Sequence, residues 1–252
     1  MSIAMLVDLR KCMACRGCQV ACKQWNELEG EETVNRGSYE NPPDLSAKTW
    51  TVIKFKELEK NGRLKWLFSR WGCMHCLDPA CVTVCPTSAL YKTEEGPVLY
   101  DESACVGCQY CVSACPFSIP RFDWEKDKMV RKCTECPSRI TNGLAPACAT
   151  TCPTRALSFG DREPILDKAN EAEAEGAYVY GRDEVGGTSW IYISDVPFDE
   201  RGFPDVGTES YSSHSMAIWG SQFATVAVGT IALGLYSMYV KRRERSEKNE
   251  SI

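Results

Sequence analysis

The run ACVGCQYCVSACPF, residues 104–117, contains four cysteines with the spacing C-x2-C-x2-C-x3-C, and a proline follows the last of them. The run KCMACRGCQVACKQW, residues 11–25, repeats this cysteine spacing. At this spacing, three thiolates of one tight loop reach three irons of a cubane iron–sulfur cluster, and the fourth thiolate points to a neighbouring cluster. Both runs therefore predict a fold that is organised by iron–sulfur clusters.

All 16 cysteines of the 252-residue chain fall into four such sets, and none is left over. The second and fourth sets keep the two ends of the pattern but lengthen its middle to x4 and x11. Only 44% of the residues are hydrophobic, so clusters rather than an apolar core are expected to organise much of the chain. In chain order the sets are Cys12, Cys15, Cys18 and Cys22; Cys73, Cys76, Cys81 and Cys85; Cys105, Cys108, Cys111 and Cys115; and Cys133, Cys136, Cys148 and Cys152.

Zinc sites and disulfides are the other uses of so many thiols. Zinc sites are also built from C-x2-C pairs, but they do not need the trailing x3-C-P. No long apolar run precedes Cys12, so we expect no secretory signal and no disulfide framework. A formal net charge of −5 disfavours a nucleic-acid partner. The sequence therefore predicts four 4Fe-4S clusters, with a zinc-stabilised membrane scaffold as the alternative from another functional class.

The distances between sets predict which sets share clusters. About twenty residues separate Cys85 from Cys105, the interval of an ordinary two-cluster ferredoxin, so the second and third sets form one module. The first and fourth sets must then pair around it. The predicted ligand sets are Cys12, Cys15, Cys18 and Cys152; Cys22, Cys133, Cys136 and Cys148; Cys73, Cys76, Cys81 and Cys115; and Cys85, Cys105, Cys108 and Cys111.

The expected fold class is α+β, with two interleaved ferredoxin-like two-cluster modules, a β-hairpin insertion and one C-terminal transmembrane helix. The expected domains are an outer module at 1–25 and 126–160, the hairpin insertion at 26–72, an inner module at 73–125, a C-terminal extension at 161–214, the membrane helix at 215–240 and a basic cytoplasmic tail at 241–252.

Three further elements are predicted outside the cysteine sets. Apolar and polar residues alternate on either side of Asn61-Gly62, which predicts a hairpin with strands near 49–58 and 63–70. Asp161 is a candidate cap for a helix that runs to Gly176 and is expected to lie solvated on the surface. Residues 185–194, VGGTSWIYIS, predict a turn and a short strand.

Residues 215–240 contain no charged side chain, and about 24 helical residues span the roughly 30 Å of a bilayer core. Basic residues at 241–245 follow this segment, whereas acidic residues between 195 and 209 precede it. The excess of positive charge on one side predicts a cytoplasmic C-terminus and a cluster domain that faces the periplasm. We expect a partner subunit with a twin-arginine signal to carry this chain across the membrane.

Cations and a histidine near the cysteines are candidates for tuning the clusters. His75 lies between Cys73 and Cys76, where a hydrogen bond to sulfur is expected. A nearby positive charge would raise the reduction potential of a cluster. The candidate cations are Arg10, Lys11, Arg16, Lys23, Arg121, Arg131, Lys132, Arg139 and Arg155.

Six segments make the chain resemble the beta subunits of membrane-bound formate dehydrogenases. They are CRGCQVACKQWN (15–26), NPPDLSAKTWTVIKF (41–55), GCMHCLDPACVTVCP (72–86), CVGCQYCVSACPFSIPR (105–121), PACATTCPTRALSFG (146–160) and VGGTSWIY (185–192). The resemblance runs almost from end to end and includes the single C-terminal membrane helix. The ligand pairing of that family agrees with the pairing expected from spacing.

The resemblance implies a complex in which an alpha subunit oxidises formate at a molybdenum or tungsten pterin. This chain would receive the electrons and pass them to a membrane gamma subunit, usually a b-type cytochrome, and on to quinone. It implies the cluster order first set, fourth set, second set, third set from the alpha subunit to the membrane. It assigns no catalytic residue to this chain. The same relay in a hydrogenase, or in a polysulfide, tetrathionate or dimethyl sulfoxide oxidoreductase, is the alternative.

Overall fold

A computed structural model describes residues 2–124 and 126–212. The strands are β1 (Ile3–Asp8), β2 (Thr51–Lys60), β3 (Arg63–Gly72), β4 (Leu90–Lys92), β5 (Val98–Tyr100), β6 (Arg121–Phe122), β7 (Val130–Arg131), β8 (Leu157–Asp161), β9 (Tyr178–Tyr180) and β10 (Trp190–Ser194). The α-helices are α1 (Gly17–Trp25), α2 (Ala80–Thr83), α3 (Tyr110–Ala114), α4 (Pro137–Ile140), α5 (Ala147–Thr150) and α6 (Arg162–Ala174). A 3-10 turn spans Glu184–Gly186.

A four-stranded sheet with the order β8-β1-β10-β9 joins the start of the chain to its C-terminal extension. β1 lies parallel to β10, with Met5 opposite Trp190, and antiparallel to β8. β1 and β10 are short and almost entirely buried, which is typical of strands that are covered on both faces. Since side chains alternate along a strand, each of these two strands packs against two different layers.

The two layers on either side of this sheet are α6 and the cysteine loops. Ala4 and Leu6 of β1 pack with α6, through its buried residues Ile165, Ala169 and Ala172. The alternate side chains of β1 and β10, Met5, Val7, Trp190 and Tyr192, belong to a second core that also contains Cys18, Cys22, Cys73, Cys133 and Cys148. Cysteines of the first, second and fourth sets therefore pack against the face of the sheet opposite α6.

The helix predicted after Asp161 is present and lies at the surface as expected, although one of its sides is buried against the sheet. Asp161 precedes α6 at the N-cap position, and Gly176 follows it with a positive φ of 94°. One side of α6 is buried because alanines recur there beside Ile165, and these small residues allow close approach to the sheet. Two alanines and one isoleucine give only a weak apolar pattern, which is why the sequence favoured a solvated helix.

The hairpin prediction is confirmed. β2 and β3 pair antiparallel from Thr51 opposite Gly72 to Lys60 opposite Arg63. Asn61 and Gly62 form the turn with positive φ values of 54° and 69°, the backbone that a type I′ turn requires. The strand expected within 185–194 is also present as β10, after the 3-10 turn.

The four cysteine sets lie in loops that lead into short helices. α1 of the first set packs on α5 of the fourth set, and α2 of the second set packs on α3 of the third. The two-stranded sheets β4–β5 and β6–β7 lie between these loops. The structure thus has a mixed α/β architecture in which helices of sets distant in sequence are neighbours.

The predicted membrane helix at 215–240 and the basic tail at 241–252 lie outside the described residues. Among residues 2–124 and 126–212, no helix has both the length and the apolar character needed to cross a membrane.

Candidate iron–sulfur sites

The C-x2-C segment of every set has the same unusual backbone. Its second intervening residue has a positive φ in each case: 56° at Ala14, 47° at His75, 68° at Gly107 and 62° at Glu135. Non-glycine residues adopt this left-handed conformation rarely and at an energetic cost. Four occurrences at one position therefore show that the four sets share one loop geometry, which curls the chain between the first and second cysteines.

A second shared turn follows the last cysteine of three sets. Ser88, Ser118 and Arg155 each lie three residues after that cysteine, and all have positive φ. The backbone amide of each donates a hydrogen bond to the carbonyl oxygen of its cysteine, at 3.0 to 3.2 Å. The first set differs because α1 continues from Cys22 to Trp25. The Pro-Thr and Pro-Phe pairs after the other three cysteines stop the helix there.

Two cavities are each lined by four cysteines that come from two different sets. One is lined by Cys12, Cys15, Cys18 and Cys152, together with Arg70 and Thr154. The other is lined by Cys85, Cys105, Cys108 and Cys111, together with Thr87. In both, three thiols of one loop and the trailing thiol of another set line the same space.

The remaining eight cysteines also form two groups that cross between sets. Burial raises the pKa of the Cys76 thiol well above its ordinary value, and the nearby thiols of Cys115, Cys73 and Cys81 raise it further. Burial also raises the pKa of the Cys148 thiol. The charge of Arg70 lowers this pKa, whereas the nearby thiols of Cys22 and Cys136 raise it further. Cys133 has Cys22 and Cys148 among its neighbours. The trailing thiols Cys115 and Cys22 therefore lie with the loops of other sets.

Thiols of different groups approach one another at three places. The thiol of Cys18 in the first set is close enough to that of Cys148 in the fourth set to raise its pKa. The thiol of Cys73 in the second set raises the pKa of Cys133 in the fourth set in the same way. The thiol of Cys81 in the second set raises the pKa of Cys111 in the third set. The four groups consequently follow one another in the order first, fourth, second, third.

Exposure of the cysteines marks the two ends of this row. Cys15 of the first set and Cys108 of the third set are exposed, whereas the other fourteen are buried or partly buried. Apolar side chains beside them are also exposed, with 59% of Met13 and 68% of Val106 accessible to solvent. The first-set and third-set ends therefore each have an exposed cysteine, whereas the fourth-set group is buried and the second-set group is buried or partly buried.

Several sulfurs accept hydrogen bonds or contact hydroxyls. The amides of Ile119 and Glu135 donate to Cys115 Sγ and Cys133 Sγ at 3.5 and 3.4 Å. The hydroxyls of Thr87 and Thr154 lie 3.8 Å from the sulfurs of Cys85 and Cys152. These threonines follow the trailing cysteines in a repeated Cys-Pro-Thr tripeptide, a signal that the sequence reasoning did not use.

The structure corrects the expectation about His75 and adds a buried cation to the candidates around the clusters. His75 accepts a hydrogen bond on Nδ1 from the Val98 amide at 2.9 Å, and its buried Nε2 has no hydrogen-bond partner, so it donates to no sulfur. Of the nine candidate cations, Lys132 alone is fully buried. Arg70, which was not a candidate, is 1% exposed and lines the first-set cavity. It was missed because it lies at the end of a predicted strand rather than within a cysteine loop.

Comparison with known proteins agrees with this geometry. Two matches to 4Fe-4S dicluster domain families cover residues 64–162 and 11–89. The chain is 40% identical over 252 residues to the iron-sulfur subunit of the nitrate-inducible formate dehydrogenase of Escherichia coli, covering 94% of this chain and 84% of that protein. The chain belongs to the formate dehydrogenase iron-sulfur subunits. It is also 42% identical over 214 residues to the formate dehydrogenase-O iron-sulfur subunit of Escherichia coli, covering 81% and 71% of the two chains. The formate dehydrogenase iron-sulfur subunit of Haemophilus influenzae is 38% identical over 253 residues, covering 94% and 80%.

As a formate dehydrogenase iron-sulfur subunit, the chain is an electron-transfer subunit with four 4Fe-4S clusters. The donor set fits this cofactor, because all sixteen cysteines are free thiols that stand in four groups of four. Among residues 2–124 and 126–212, no three His, Cys, Asp or Glu side chains are arranged around a single metal ion.

Proposed function

We propose that this chain carries electrons from the catalytic subunit of a formate dehydrogenase to a subunit in the membrane. When bound, the four clusters supply one-electron redox chemistry, and the protein supplies their positions and their electrostatic surroundings. The observation that carries this proposal is the row of thiol groups in the order first, fourth, second, third, with exposed cysteines only at its two ends. Such a row suits transfer between two partners that dock at opposite ends of it.

The proposed ligand sets are those expected from spacing. Two cavities support the sets in which Cys152 joins the first loop and Cys85 joins the third loop. Neighbouring thiols support the sets in which Cys22 joins the fourth loop and Cys115 joins the second. The packing of α1 on α5 and of α2 on α3 supports an outer module at 1–25 and 126–160 that encloses an inner module at 73–125.

The first-set end is the proposed entry for electrons. The relatives are subunits of formate dehydrogenases, and we propose a catalytic partner that oxidises formate at a molybdenum or tungsten pterin. Cys15 and Met13 at the surface would allow that partner to approach the first-set cluster closely. The third-set end, with Cys108 and Val106 at the surface, is then the proposed exit.

The proposed acceptor is a membrane gamma subunit, a cytochrome b or another quinone-reactive protein. The uncharged run at 215–240 supports a single membrane helix in this chain, and the basic residues at 241–245 support a cytoplasmic C-terminus. The cluster domain would then face the periplasm, on the outer side of the inner membrane.

The exchange of trailing ligands is tested by Cys152→Ser in the purified complex. If Cys152 binds the first-set cluster, this variant should lose or shift the spin-resonance signal of that cluster, although 130 residues separate it from Cys22 at the end of the first set. A serine oxygen is a harder ligand than a thiolate, so the altered cluster should lose an iron or change its potential. Electron flow to quinone should fall, while formate oxidation with an artificial acceptor at the catalytic subunit should persist.

Cys115→Ser is the matched variant for the inner module. It should alter the cluster of Cys73, Cys76 and Cys81 and leave the first-set signal unchanged. Loss of the cluster bound by Cys133, Cys136 and Cys148 in the Cys152→Ser protein would instead mean that each set holds its own cluster, and the interleaved arrangement would be wrong.

A further inference from the structure

Arg70 is a fully buried cation at the end of β3, three residues before Cys73. Its guanidinium lines the cavity that Cys12, Cys15, Cys18 and Cys152 surround. The same side chain belongs to the layer between the hairpin and the central sheet, since it reaches both Thr51 of β2 and Tyr192 of β10. This position places a positive charge at the junction of the first, fourth and second sets.

Neutral groups hold the guanidinium in place. Its Nη1 donates to the carbonyl oxygen of Cys73 at 3.4 Å and to the hydroxyl of Tyr192 at 3.3 Å. Its Nη2 donates to the hydroxyl of Thr51 at 3.1 Å, and the group stacks over the ring of Trp190 at 3.5 Å from the ring centre. The Nε atom has no hydrogen-bond partner. The orientation of Arg70 is therefore fixed by three hydrogen bonds and one stacking contact.

Gly72 leaves the space that the guanidinium occupies. A Cβ atom at this position would lie 2.7 Å from Arg70 Nη2 and 2.9 Å from the carbonyl oxygen of Trp50. The φ of Gly72 is not positive, so its backbone is open to other residues and the requirement is for space alone. Because any larger residue would displace the guanidinium, Gly72 and Arg70 act as one structural unit.

No carboxylate neutralises this charge within the part of the chain that the structure describes. The ion pairs of residues 2–124 and 126–212 do not include Arg70. The positive charge of Arg70 lowers the pKa of the buried Glu135 carboxyl, but the two groups lie farther apart than an ion pair. Burying a guanidinium is costly unless negative charge nearby offsets the loss of hydration. The groups that surround it and carry negative charge in the loaded protein are cysteine thiolates and their clusters.

Arg70 lies beside thiols of the outer module. It contacts Trp190 and Tyr192. These two aromatic side chains pack in one core with the first-set and fourth-set cysteines Cys18, Cys133 and Cys148. The cysteines Cys85 and Cys111, in the third-set group, pack in a separate core with Leu90 and Val130. The charge is thus directed at the first-set and fourth-set sites and away from the third-set end.

We infer that Arg70 is the fixed counter-charge of the first-set and fourth-set clusters and raises their reduction potentials. This inference rests on the proposed ligand sets. Reduction adds one electron, and so one negative charge, to a cluster, and a fixed cation stabilises the reduced form more than the oxidised form. At an effective dielectric constant of about 20, one unit charge at about 12 Å from a cluster changes the equilibrium constant of its reduction about tenfold.

The test is a potentiometric spin-resonance titration of the whole complex with Arg70→Gln, Arg70→Lys and Arg155→Gln. In Arg70→Gln the ratio of reduced to oxidised cluster at a fixed potential should fall about tenfold for the first-set and fourth-set signals, which corresponds to about 59 mV for one electron. The third-set signal should stay unchanged. Arg70→Lys keeps the charge and should restore most of the shift.

Arg155→Gln is the control, because Arg155 lies three residues after Cys152 but is exposed, so that water screens its charge. It should leave all four potentials in place. The inference is overturned if Arg70→Gln leaves the first-set and fourth-set potentials unchanged, or if it shifts all four signals equally.

Gly72→Ala keeps the inference testable if Arg70→Gln fails to load its clusters. This variant retains the charge but moves the guanidinium, so the first-set and fourth-set potentials should change while the third-set potential stays in place. Unchanged potentials in a fully loaded Gly72→Ala protein would contradict the inference. Failure of the ligand assignment is separate, because it appears in the Cys152→Ser protein as the loss of a different signal.

Discussion

Gly181→Ala should weaken the contact that the C-terminal extension makes with the second cysteine set. Gly181 has a positive φ of 92°, and a Cβ atom there would lie far inside van der Waals contact with the carbonyl oxygen of Trp190. The following segment is bound to the second-set loop, where the Leu77 amide donates to the Gly187 carbonyl at 2.9 Å. Ser189 donates its amide to the carbonyl oxygen of His75 at 3.0 Å.

The cost of this change can be worked out against Gly176→Ala. Gly176 has nearly the same φ, 94°, but no atom lies within 4 Å of the position of its Cβ. An alanine in this backbone conformation costs about 1.5 kcal/mol at either position. At Gly181 the chain must also move away from Trp190, which would break the two bonds that Thr188 donates to the Gly181 carbonyl, at 2.8 and 2.9 Å. With about 1 kcal/mol for each bond, the total is about 3.5 kcal/mol.

The assay is thermal unfolding of the loaded wild-type protein and both variants at one scan rate, so that their Tm values can be compared. At about 2–4 °C per kcal/mol, Gly176→Ala should lower Tm by about 3–6 °C and Gly181→Ala by about 7–14 °C. In Gly181→Ala the second-set spin-resonance signal should weaken before the others. Equal losses of Tm in the two variants would refute the steric reasoning.

Two more predictions concern the threonine hydroxyls beside two cysteine sulfurs and the carboxylate of Asp8, which precedes the first cysteine loop. Thr154→Val removes a hydroxyl 3.8 Å from Cys152 Sγ and should lower the reduction potential of the first-set cluster by roughly 20–60 mV. Thr87→Val should lower the potential of the cluster of Cys85 by a similar amount. Unchanged potentials in redox titrations of both variants would show that these hydroxyls do not hydrogen-bond to the sulfurs. Burial alone would raise the pKa of Asp8, but hydrogen bonds from the two cations that follow it lower the pKa overall. Its folded pKa is below its unfolded pKa, so its stabilisation is present above the unfolded value near 3.9 and is lost as the pH falls through the folded value. At about pH 6 to pH 8, where the clusters persist, Asp8 is fully ionised, so Asp8→Asn should lower Tm by the same amount throughout; a difference in Tm that disappears toward pH 6 would contradict the prediction.

Features with a local signal were predictable from the sequence. The cysteine sets are recognised by spacing alone, and Asn61-Gly62 defines the hairpin because only a few residues adopt two positive φ values in succession. Both inferences depend on residues within about twenty positions of one another. The grouping of the trailing cysteines stays a prediction, made from one interval between sets that matches an ordinary two-cluster ferredoxin.

Features that depend on distant residues were not predictable. β1 pairs with β10 across more than 180 residues, and neither strand has an alternating pattern because both faces are covered. The burial of one side of α6 follows from that sheet and was missed for the same reason. Arg70 reads as an ordinary polar residue of a hairpin, and its burial becomes visible only when β10 places Trp190 and Tyr192 beside it.

The central claim is that this chain holds four 4Fe-4S clusters, and the measurement that tests it most directly is the content of iron, acid-labile sulfide and zinc in the anaerobically purified chain. The sixteen free thiols in four groups predict about sixteen irons and about sixteen sulfides per chain, with no stoichiometric zinc. Stoichiometric zinc without sulfide or visible cluster absorption would contradict the account.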